Sequence, residues 1–132
     1  MHVLVPIDGS DPSVRALSFG IDLADRFEGE LDVVHIGDPD ATATEQLLER
    51  ARDQCADVDI EATVEAYPEL EDESRLHYAS KIGGQILEIA AERDVDHIVM
   101  GTHGRSGLDE YVLGSAAETI LDTQEYPVTV VP

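Results

Sequence analysis

Hydrophobic positions along the chain follow two periods that alternate from one end to the other. Short runs rich in Val, Ile and Leu are typical of buried parallel strands, whereas apolar residues repeated every three to four positions indicate amphipathic helices. These patterns predict five strands, at residues 2–7, 31–36, 60–66, 95–100 and 127–131. They also predict four helices, at residues 11 to about 29, 42–56, 82–93 and 115–123.

The order of these elements predicts the fold class. Strands and helices alternate as β-α-β-α-β-α-β-α-β, which favours an α/β fold with a single open five-stranded parallel sheet and helices on both faces. The length of 132 residues suits one domain, at residues 1–132. Apolar and polar residues alternate along residues 60–66, so we expect this strand at a sheet edge with one face more exposed.

Two of the predicted helices carry additional local signals. The first begins with a capping pattern, Ser10 or Asp11 followed by Pro12 at the first helical position. Val14 starts its predicted apolar face, which continues at helical spacing. Cys55 lies on the apolar face of the second helix, so we expect it in the core rather than as a redox sensor.

Residues 67–81 do not fit the alternating pattern. The segment is acidic and polar, and it is long for a connection between a strand and a helix. A solvated loop is one interpretation, and a lid or a segment that meets a partner is the other.

The charge of the chain narrows the classes of protein to which it can belong. Lys and Arg total 8 against 29 Asp and Glu, a net charge of −21, while 42% of the residues are hydrophobic. That hydrophobic content argues against disorder, and the few cations argue against nucleic-acid binding. The acidic residues are spread along the whole chain, and Lys81 is the one lysine beside seven arginines. An ordinary acidic protein remains possible, but this pattern favours a protein from an extreme halophile, kept soluble at multimolar salt.

The compartment is predicted from the cysteine content and the start of the chain. Cys55 is alone, so no intrachain disulfide can form. The chain opens on a strand-like segment rather than a basic stretch followed by a long apolar one, and no run is long enough to span a membrane. We therefore expect a cytoplasmic protein that binds no membrane.

The glycine pattern in the last third of the chain is the most informative motif. Gly101 and Gly104 follow the fourth strand, and Gly114 with Ser115 opens the last helix after nine intervening residues. Glycines at a strand end allow a ligand to approach the backbone, and free N–H groups at a helix start favour phosphate. Arg105 is placed to pair with phosphate oxygens. On the residues alone, phosphate binding and simple turn formation both remain open.

A second unusual loop, Asp8-Gly9-Ser10, follows the first strand. In open parallel sheets ligands bind beyond the carboxyl ends of the strands, where the strand order reverses. If the first and fourth strands are neighbours, the two glycine-containing loops therefore converge on one crevice. The P-loop motif and the Gly-x-Gly-x-x-Gly motif are absent, so we expect neither a P-loop mechanism nor a dinucleotide site of that type.

No catalytic residue and no metal-ligating residue is assigned from the sequence. The histidines show no ligand spacing, and the Gly-x-Ser-x-Gly motif of a hydrolase is absent. His103 lies between the two glycines, where we expect a polar contact rather than a general base.

At these residues the sequence resembles the nucleotide-binding branch of the universal stress protein family. The resemblance covers nearly the whole chain, and the Gly-x2-Gly-x9-Gly-Ser spacing is complete. The segments that carry it are residues 3–10, 33–36, 98–107 and 113–117. It implies the Rossmann-like universal stress protein fold.

The resemblance also implies a role for each matching position. Asp8 would bond the ribose or an edge of the adenine, although it could also serve only as a helix-entry residue, and Ile36 would pack on the base. Gly104 and Arg105 would meet the phosphates, above the start of the last helix. The complete nucleotide-binding set implied in this way is Pro6, Asp8, Ile36, Met100, Gly101, His103, Gly104, Arg105, Gly114, Ser115 and Ala116.

The implied ligand is ATP, or ADP or AMP, with Mg²⁺ held by the phosphates and one carboxylate. The implied partners are a second copy of the chain, paired through the strand edge at Val128, Thr129, Val130 and Val131, and protein partners that the sequence does not name. The function implied is a homodimeric, adenine-nucleotide-binding regulatory protein of the stress response. A slow ATPase or phosphoryl-transfer enzyme with at most weak hydrolysis is the alternative, and a nucleotide-free scaffold dimer is another.

The chain departs from the family pattern at residues 67–81. Family members reach the next helix through a short Gly-Pro-like turn, which Gly83-Gly84 matches best here. The extra segment does not include any residue of the nucleotide-binding motif.

Overall fold

The computed structural model describes residues 1–71, 78–103 and 113–132. The strands are β1 (His2–Pro6), β2 (Glu30–Ile36), β3 (Glu61–Tyr67), β4 (His97–Gly101) and β5 (Val128–Val131). The helices are α1 (Asp11–Arg26), α2 (Thr42–Ala56), α3 (Lys81–Glu92) and α4 (Ser115–Thr123). The bounds predicted from the sequence agree within two residues, except that α1 ends before the predicted Gly29, since Phe27 caps it and Glu28 has a φ of 51°.

The five strands form one parallel sheet in the order β3-β2-β1-β4-β5. Both the predicted fold class and the predicted edge position of the third strand are confirmed. β1 pairs with β2 on one side and with β4 on the other. The chain therefore builds outward from β1 to β3 and then returns across β1 to add β4 and β5. This places the reversal of strand order between the neighbours β1 and β4.

Alternate side chains of the buried strands enter two separate cores. Val3, Val5 and Val33 face the core that contains α1 and α2, and Cys55 lies in this core as predicted. Leu4 and Val34 face the second core, which contains α3 and α4. Each such side chain, fully removed from water, contributes about 1.5–3 kcal/mol of hydrophobic stabilisation. The two cores together fix the sheet between its helical layers.

The apolar face of α1 agrees with the prediction except at its first residue. Its buried members include Leu17, Ile21 and Ala24. Val14 was expected on this face, but it is 45% exposed. The face that meets the sheet is centred on small residues, and a Cβ at Gly20 would lie 2.5 Å from Val5 Cγ2. The backbone of α1 therefore approaches the sheet closely at Gly20, and this close approach leaves Val14 on the margin. Ser10 provides the N-cap as predicted, although Pro12 occupies the second helical position rather than the first.

Gly83 and Gly84 do not form the turn expected from the family pattern. Both lie in the first turn of α3, where Cβ atoms would lie 2.9 Å from Thr119 Cβ and 2.3 Å from Tyr78 Cδ2. The two glycines instead allow α3 to pack closely against α4 and against the residue that leads into α3.

The described ends of the atypical segment at residues 67–81 are held against α3 and α4. The buried side chain of Gln85 donates to Pro68 O at 2.9 Å and accepts from Leu70 N at 3.2 Å. Ser80 N donates to Thr119 Oγ1 at 3.1 Å. Residues 72–77 lie outside the described residues, so the choice between a solvated loop and a lid or partner segment stays open.

Candidate functional site

The loop after β1 is built as a tight entry to α1. Gly9 has a φ of 84°, which only glycine adopts without strain. Asp8 Oδ1 accepts from Ser10 N at 2.9 Å, and Ser10 Oγ accepts from Ser13 N at 3.3 Å. The Asp8 side chain thus serves as a helix-entry residue, the role that the sequence left open. A carboxylate oxygen accepts more than one hydrogen bond, so this contact leaves acceptor capacity for a ligand.

Two hydrogen bonds, one from a side chain and one from the backbone, bring three segments together at the expected crevice between β1 and β4. Ser10 Oγ donates to His103 O at 3.5 Å, which joins the loop after β1 to the loop after β4. Gly114 N donates to Thr102 O at 2.6 Å, which places the start of α4 beside the same loop. The convergence expected for neighbouring first and fourth strands is therefore present in the structure.

Gly101 determines how closely β4 approaches α1 at this crevice. A Cβ there would lie 2.9 Å from Pro12 Cβ and 3.0 Å from both Pro12 C and Ser13 N. Two of these neighbours are backbone atoms, which have little freedom to move away. Glycine is needed at this position for the packing of β4 against the first turn of α1.

The carboxyl end of β2 forms the neighbouring wall. His35 Nδ1 donates to Ile7 O at 2.7 Å, so the ring of His35 has a hydrogen-bond partner at the rim of the sheet. Gly37 N donates to Tyr67 O at 2.9 Å, which ties the residue after Ile36 to the end of β3. Ile36 itself packs against the core shared with α3 and α4.

The start of α4 differs from the starts of α1 and α3. Ser10 and Ser80 cap α1 and α3 through their side chains, whereas Gly114 precedes α4 and offers none. The first-turn N–H groups of a helix have no intrahelical acceptor. Together with the positive end of the helix dipole, these groups favour a negatively charged ligand.

Most of the residues predicted from the sequence lie at this carboxyl end of the sheet. The nine that the structure describes are Pro6, Asp8, Ile36, Met100, Gly101, His103, Gly114, Ser115 and Ala116. Gly104 and Arg105 lie outside the described residues. Met100 is only 5% exposed and packs in the core, so its side chain supports the crevice from below.

A second polar cluster lies on the α3 side of the sheet and was not recognised from the sequence. We call it the Arg93 cluster. Its members are Asp32, Thr63, Glu65, Tyr67 and Arg93. Arg93 Nη1 lies 3.3 Å from Asp32 Oδ1, and Nη2 lies 2.7 Å from Glu65 Oε2. The signal in the sequence is Asp32, a carboxylate in the middle of an apolar strand, but its partner lies 61 residues away in the sequence.

The contacts of the Arg93 cluster shift the pKa values of its carboxyl groups. Burial alone would raise the pKa of Asp32, but hydrogen bonds from Thr63 and His2 and the charge of Arg93 lower it overall. The Tyr67 hydroxyl, followed by the Arg93 guanidinium, lowers the pKa of Glu65. Both carboxylates are therefore held in the charged form.

Replacing Asp32 with asparagine is expected to destabilise the fold at neutral pH by about 1–3 kcal/mol, because Arg93 and Thr63 lose a charged acceptor. The folded pKa of Asp32 lies below its ordinary value of 3.8, so the stabilisation is fully present above that value. It is lost as the pH falls through the lower folded pKa. Denaturant unfolding of both proteins should show the gap narrowing below about pH 4, with Asp22→Asn on exposed α1 surface as the control. A gap that persists undiminished at pH 2–3 would contradict the assignment.

A cavity of about 490 Å³ opens at the opposite, amino end of the sheet. It is lined by Gly29 and Ile60 together with five carboxylates, those of Asp25, Glu28, Glu30, Asp59 and Glu61. No group of three or more His, Cys, Asp or Glu residues in the described part of the chain could hold a metal ion. Within the same residues, no helix is long and apolar enough to cross a membrane.

The strand order and the contacts between the loops after β1 and β4 are those of an open, parallel α/β protein. Comparison with known sequences identifies the family. A sequence profile described as "Universal stress protein family" matches residues 1–132, and this chain belongs to that family.

Two relatives illustrate the likeness in sequence. The universal stress protein YxiE of Bacillus subtilis is 30% identical, over 98% of this chain and 97% of its own length. The universal stress protein MJ0531 of Methanocaldococcus jannaschii is 29% identical, over 98% of this chain and 80% of its own length.

Solved structures show the same fold. The Methanocaldococcus jannaschii protein MJ0577 superposes with a TM-score of 0.78 at 23% identity, over 98% of this chain and 94% of that one. A universal stress protein in complex with cAMP gives 0.74 at 23% identity, over 99% of this chain and 95% of that one. The Archaeoglobus fulgidus protein in complex with dAMP gives 0.69 at 20% identity, over 100% of this chain and 98% of that one.

Proposed function

We propose that this chain binds an adenine nucleotide at the crevice between β1 and β4 and acts as a homodimeric regulatory module of the stress response. The observation that carries the proposal is the meeting of three segments there: the Asp8–Ser10 loop, the backbone after β4 and the start of α4. Bound nucleotide would shift the population of a conformation that protein partners recognise. The cAMP and dAMP complexes of proteins with this fold support an adenine ligand.

The start of α4 is the proposed phosphate site. Gly114 provides no side-chain cap, which leaves the first-turn N–H groups of Ser115 and Ala116 facing the crevice end of the helix. Gly104 and Arg105 are proposed to complete the site, with Mg²⁺ held by the phosphates and one carboxylate. In concentrated salt, backbone amides at contact distance lose less attraction than distant charges do. Phosphate binding should therefore depend chiefly on the backbone.

Asp8 is the proposed contact to the ribose or to an edge of the base. Asp8→Ala is expected to weaken ATP binding about tenfold or more, because a charge-assisted hydrogen bond is lost. Asp8→Asn keeps an oxygen for the turn to Ser10 and should lose less. Isothermal titration calorimetry in multimolar KCl measures both.

The matched control for Asp8 is Asp38. Asp38 Oδ1 accepts from Asp40 N at 3.0 Å, the same local turn that Asp8 makes, in the loop after β2. Asp38→Ala should leave ATP affinity within about twofold of the wild type, since only a local turn bond is removed. If Asp8→Ala also leaves the affinity unchanged, Asp8 serves only to enter the helix.

The direct test of the proposed function is the nucleotide content and native mass of protein purified in multimolar KCl. Adenine nucleotide released by acid at about one per chain, on a dimer, is the expected result. Protein that carries no nucleotide and takes up no added ATP, ADP or AMP would overturn the proposal and favour the scaffold alternative.

The outer edge of β5 is the proposed dimer surface. Its residues Val128–Val131 are all half-buried in the single chain, and among the described strands β5 pairs with β4 alone. The other edge strand, β3, is protected, since Arg52 Nη2 donates to Val64 O at 3.2 Å and β3 carries exposed carboxylates. Charged edges of this kind resist pairing with another chain. A second copy joined through β5 would cover the less protected edge, and the native mass measurement tests this.

We also propose that the protein works in concentrated salt, as the net charge of −21 with one lysine suggests. Its stability should therefore fall steeply when salt is removed, because the carboxylates then repel one another.

A further inference from the structure

Arg93 reaches from the end of α3 along the exposed face of β3. It is the C-cap residue of α3, and 23% of its side chain is exposed. Its guanidinium donates to Glu65 Oε2 and to the hydroxyl of Tyr67, and it pairs with the buried carboxylate of Asp32. The Arg93 guanidinium therefore links α3 to β2 and to the last residues of the edge strand β3.

Tyr67 connects this cluster to the wall of the proposed nucleotide site. Its hydroxyl donates to Glu65 Oε2 at 2.7 Å, and Arg93 lies 5.7 Å from the centre of its ring. Its backbone oxygen accepts from Gly37 N at 2.9 Å, and Tyr67 is the register partner of Ile36. The side chains of Ile36 and Tyr67 pack against the same core. The position of the carboxyl end of β2 thus depends on a residue whose hydroxyl group Arg93 holds.

β3 needs such an anchor because it is an edge strand with few buried residues. Glu61, Ala62 and Thr63 are exposed, and no residue of β3 is fully buried. Segments with few buried apolar contacts open more readily than core strands. The Gly37 amide donates to the backbone oxygen of Tyr67 at the end of β3. Without the Arg93 cluster, this end of the strand would be held mainly by sheet hydrogen bonds.

We propose that Tyr67 and Arg93 are positioning residues for the nucleotide base. They act indirectly, by holding Ile36 and Gly37 in place at the carboxyl end of β2. This inference rests on the proposed function, in which Ile36 packs on the base. Neither residue touches the nucleotide. Their contribution is to base discrimination, because a base is recognised by groups held at fixed positions.

The test compares Tyr67→Phe with Tyr126→Phe. Both changes remove one hydroxyl from a tyrosine that packs against the core shared with α3 and α4, but Tyr126 lies before β5, at the opposite edge of the sheet. Amide hydrogen exchange at Gly37 is measured by NMR on nucleotide-free protein, and Kd is measured for ATP and for GTP. Because the exchange rate at Gly37 is measured without nucleotide, it reports directly on how firmly Tyr67 holds the Gly37 amide.

In Tyr67→Phe we expect exchange at Gly37 to accelerate, and the ratio of ATP to GTP affinity to fall by about three- to tenfold, the scale of one lost hydrogen bond. Tyr126→Phe should change neither. A general loss of stability would weaken binding of both nucleotides alike and leave their ratio unchanged.

An unchanged affinity ratio, or unchanged exchange at Gly37, overturns the positioning role while leaving nucleotide binding intact. Wild-type protein that binds neither nucleotide overturns the proposed function, and the positioning role with it. If Tyr67→Phe does not fold, Arg93→Lys keeps the charge but loses the forked contacts, and the same two readouts apply to it.

Discussion

Gly101→Ala is expected to lower ATP affinity about tenfold or more, a loss of about 1.4 kcal/mol of binding free energy, and to destabilise the fold by about 1–3 kcal/mol. The added Cβ would lie 3.0 Å from Pro12 C and Ser13 N, so β4 and the first turn of α1 must move apart. That turn follows directly from Ser10, whose hydroxyl donates to His103 O. Separating them disturbs two of the three segments that form the proposed site.

The matched control is Gly20→Ala, in the same helix. Its Cβ would lie 2.5 Å from Val5 Cγ2, between α1 and the sheet, and the residues that it would meet are not among those of the proposed site. We expect a comparable loss of stability but unchanged ATP affinity in the folded fraction. Calorimetric titration and denaturant unfolding separate the two effects. Equal losses of affinity in both variants would show that only general packing matters at Gly101.

Transfer from multimolar to about 0.1 M KCl is expected to lower the melting midpoint by tens of degrees or to unfold the protein. The net charge is −21, and screening falls as the Debye length grows from about 3 Å at 1 M to about 10 Å at 0.1 M. Carboxylates then repel one another across the surface, and the compact state loses stability. Circular dichroism followed with temperature at several salt concentrations measures the effect.

Substitutions at the amino end of the sheet test more directly whether repulsion between carboxylates causes the salt dependence. Five carboxylates surround the cavity there, and Glu28 and Asp59 are exposed members. The double variant Glu28→Gln, Asp59→Asn should melt closer to its high-salt midpoint when salt is removed, because two repelling charges are gone. Sucrose, which favours compact states without screening charge, should not replace KCl. A midpoint that is independent of salt would rule out the halophilic assignment.

The elements of the fold could be predicted from the sequence because each has a local pattern. Residues 115–123 and 42–56 match α4 and α2 to the residue. The position of β3 at an edge followed from its alternating pattern, since one face of an edge strand meets water. The exposure of Val14 and the helical conformation of Gly83 were not predicted, because both depend on how closely a helix packs against its neighbours.

The candidate site was predictable to a similar extent. Glycines after β4 and before α4 are recognisable by spacing, and their loops meet because β1 and β4 are neighbours. The Ser10 cap was expected from the sequence, whereas the hydrogen bond from Ser10 N to Asp8 Oδ1 was found only in the structure. The Arg93 cluster was missed entirely, since an isolated arginine after a helix has no local signature that names Asp32 or Tyr67 as its partners.

The parallel α/β architecture, the glycine loops at the strand ends and the acidic character of the chain follow from the amino-acid sequence, because periodicity, backbone freedom and charge are properties of the chain. Which residues meet depends on the folded structure: Gly101 with Pro12, Gly114 with Thr102, and Arg93 with Asp32 and Tyr67. These contacts join residues far apart in the chain, and their geometry depends on the separation of helices and strands across a packed core. Local sequence patterns carry no record of that separation.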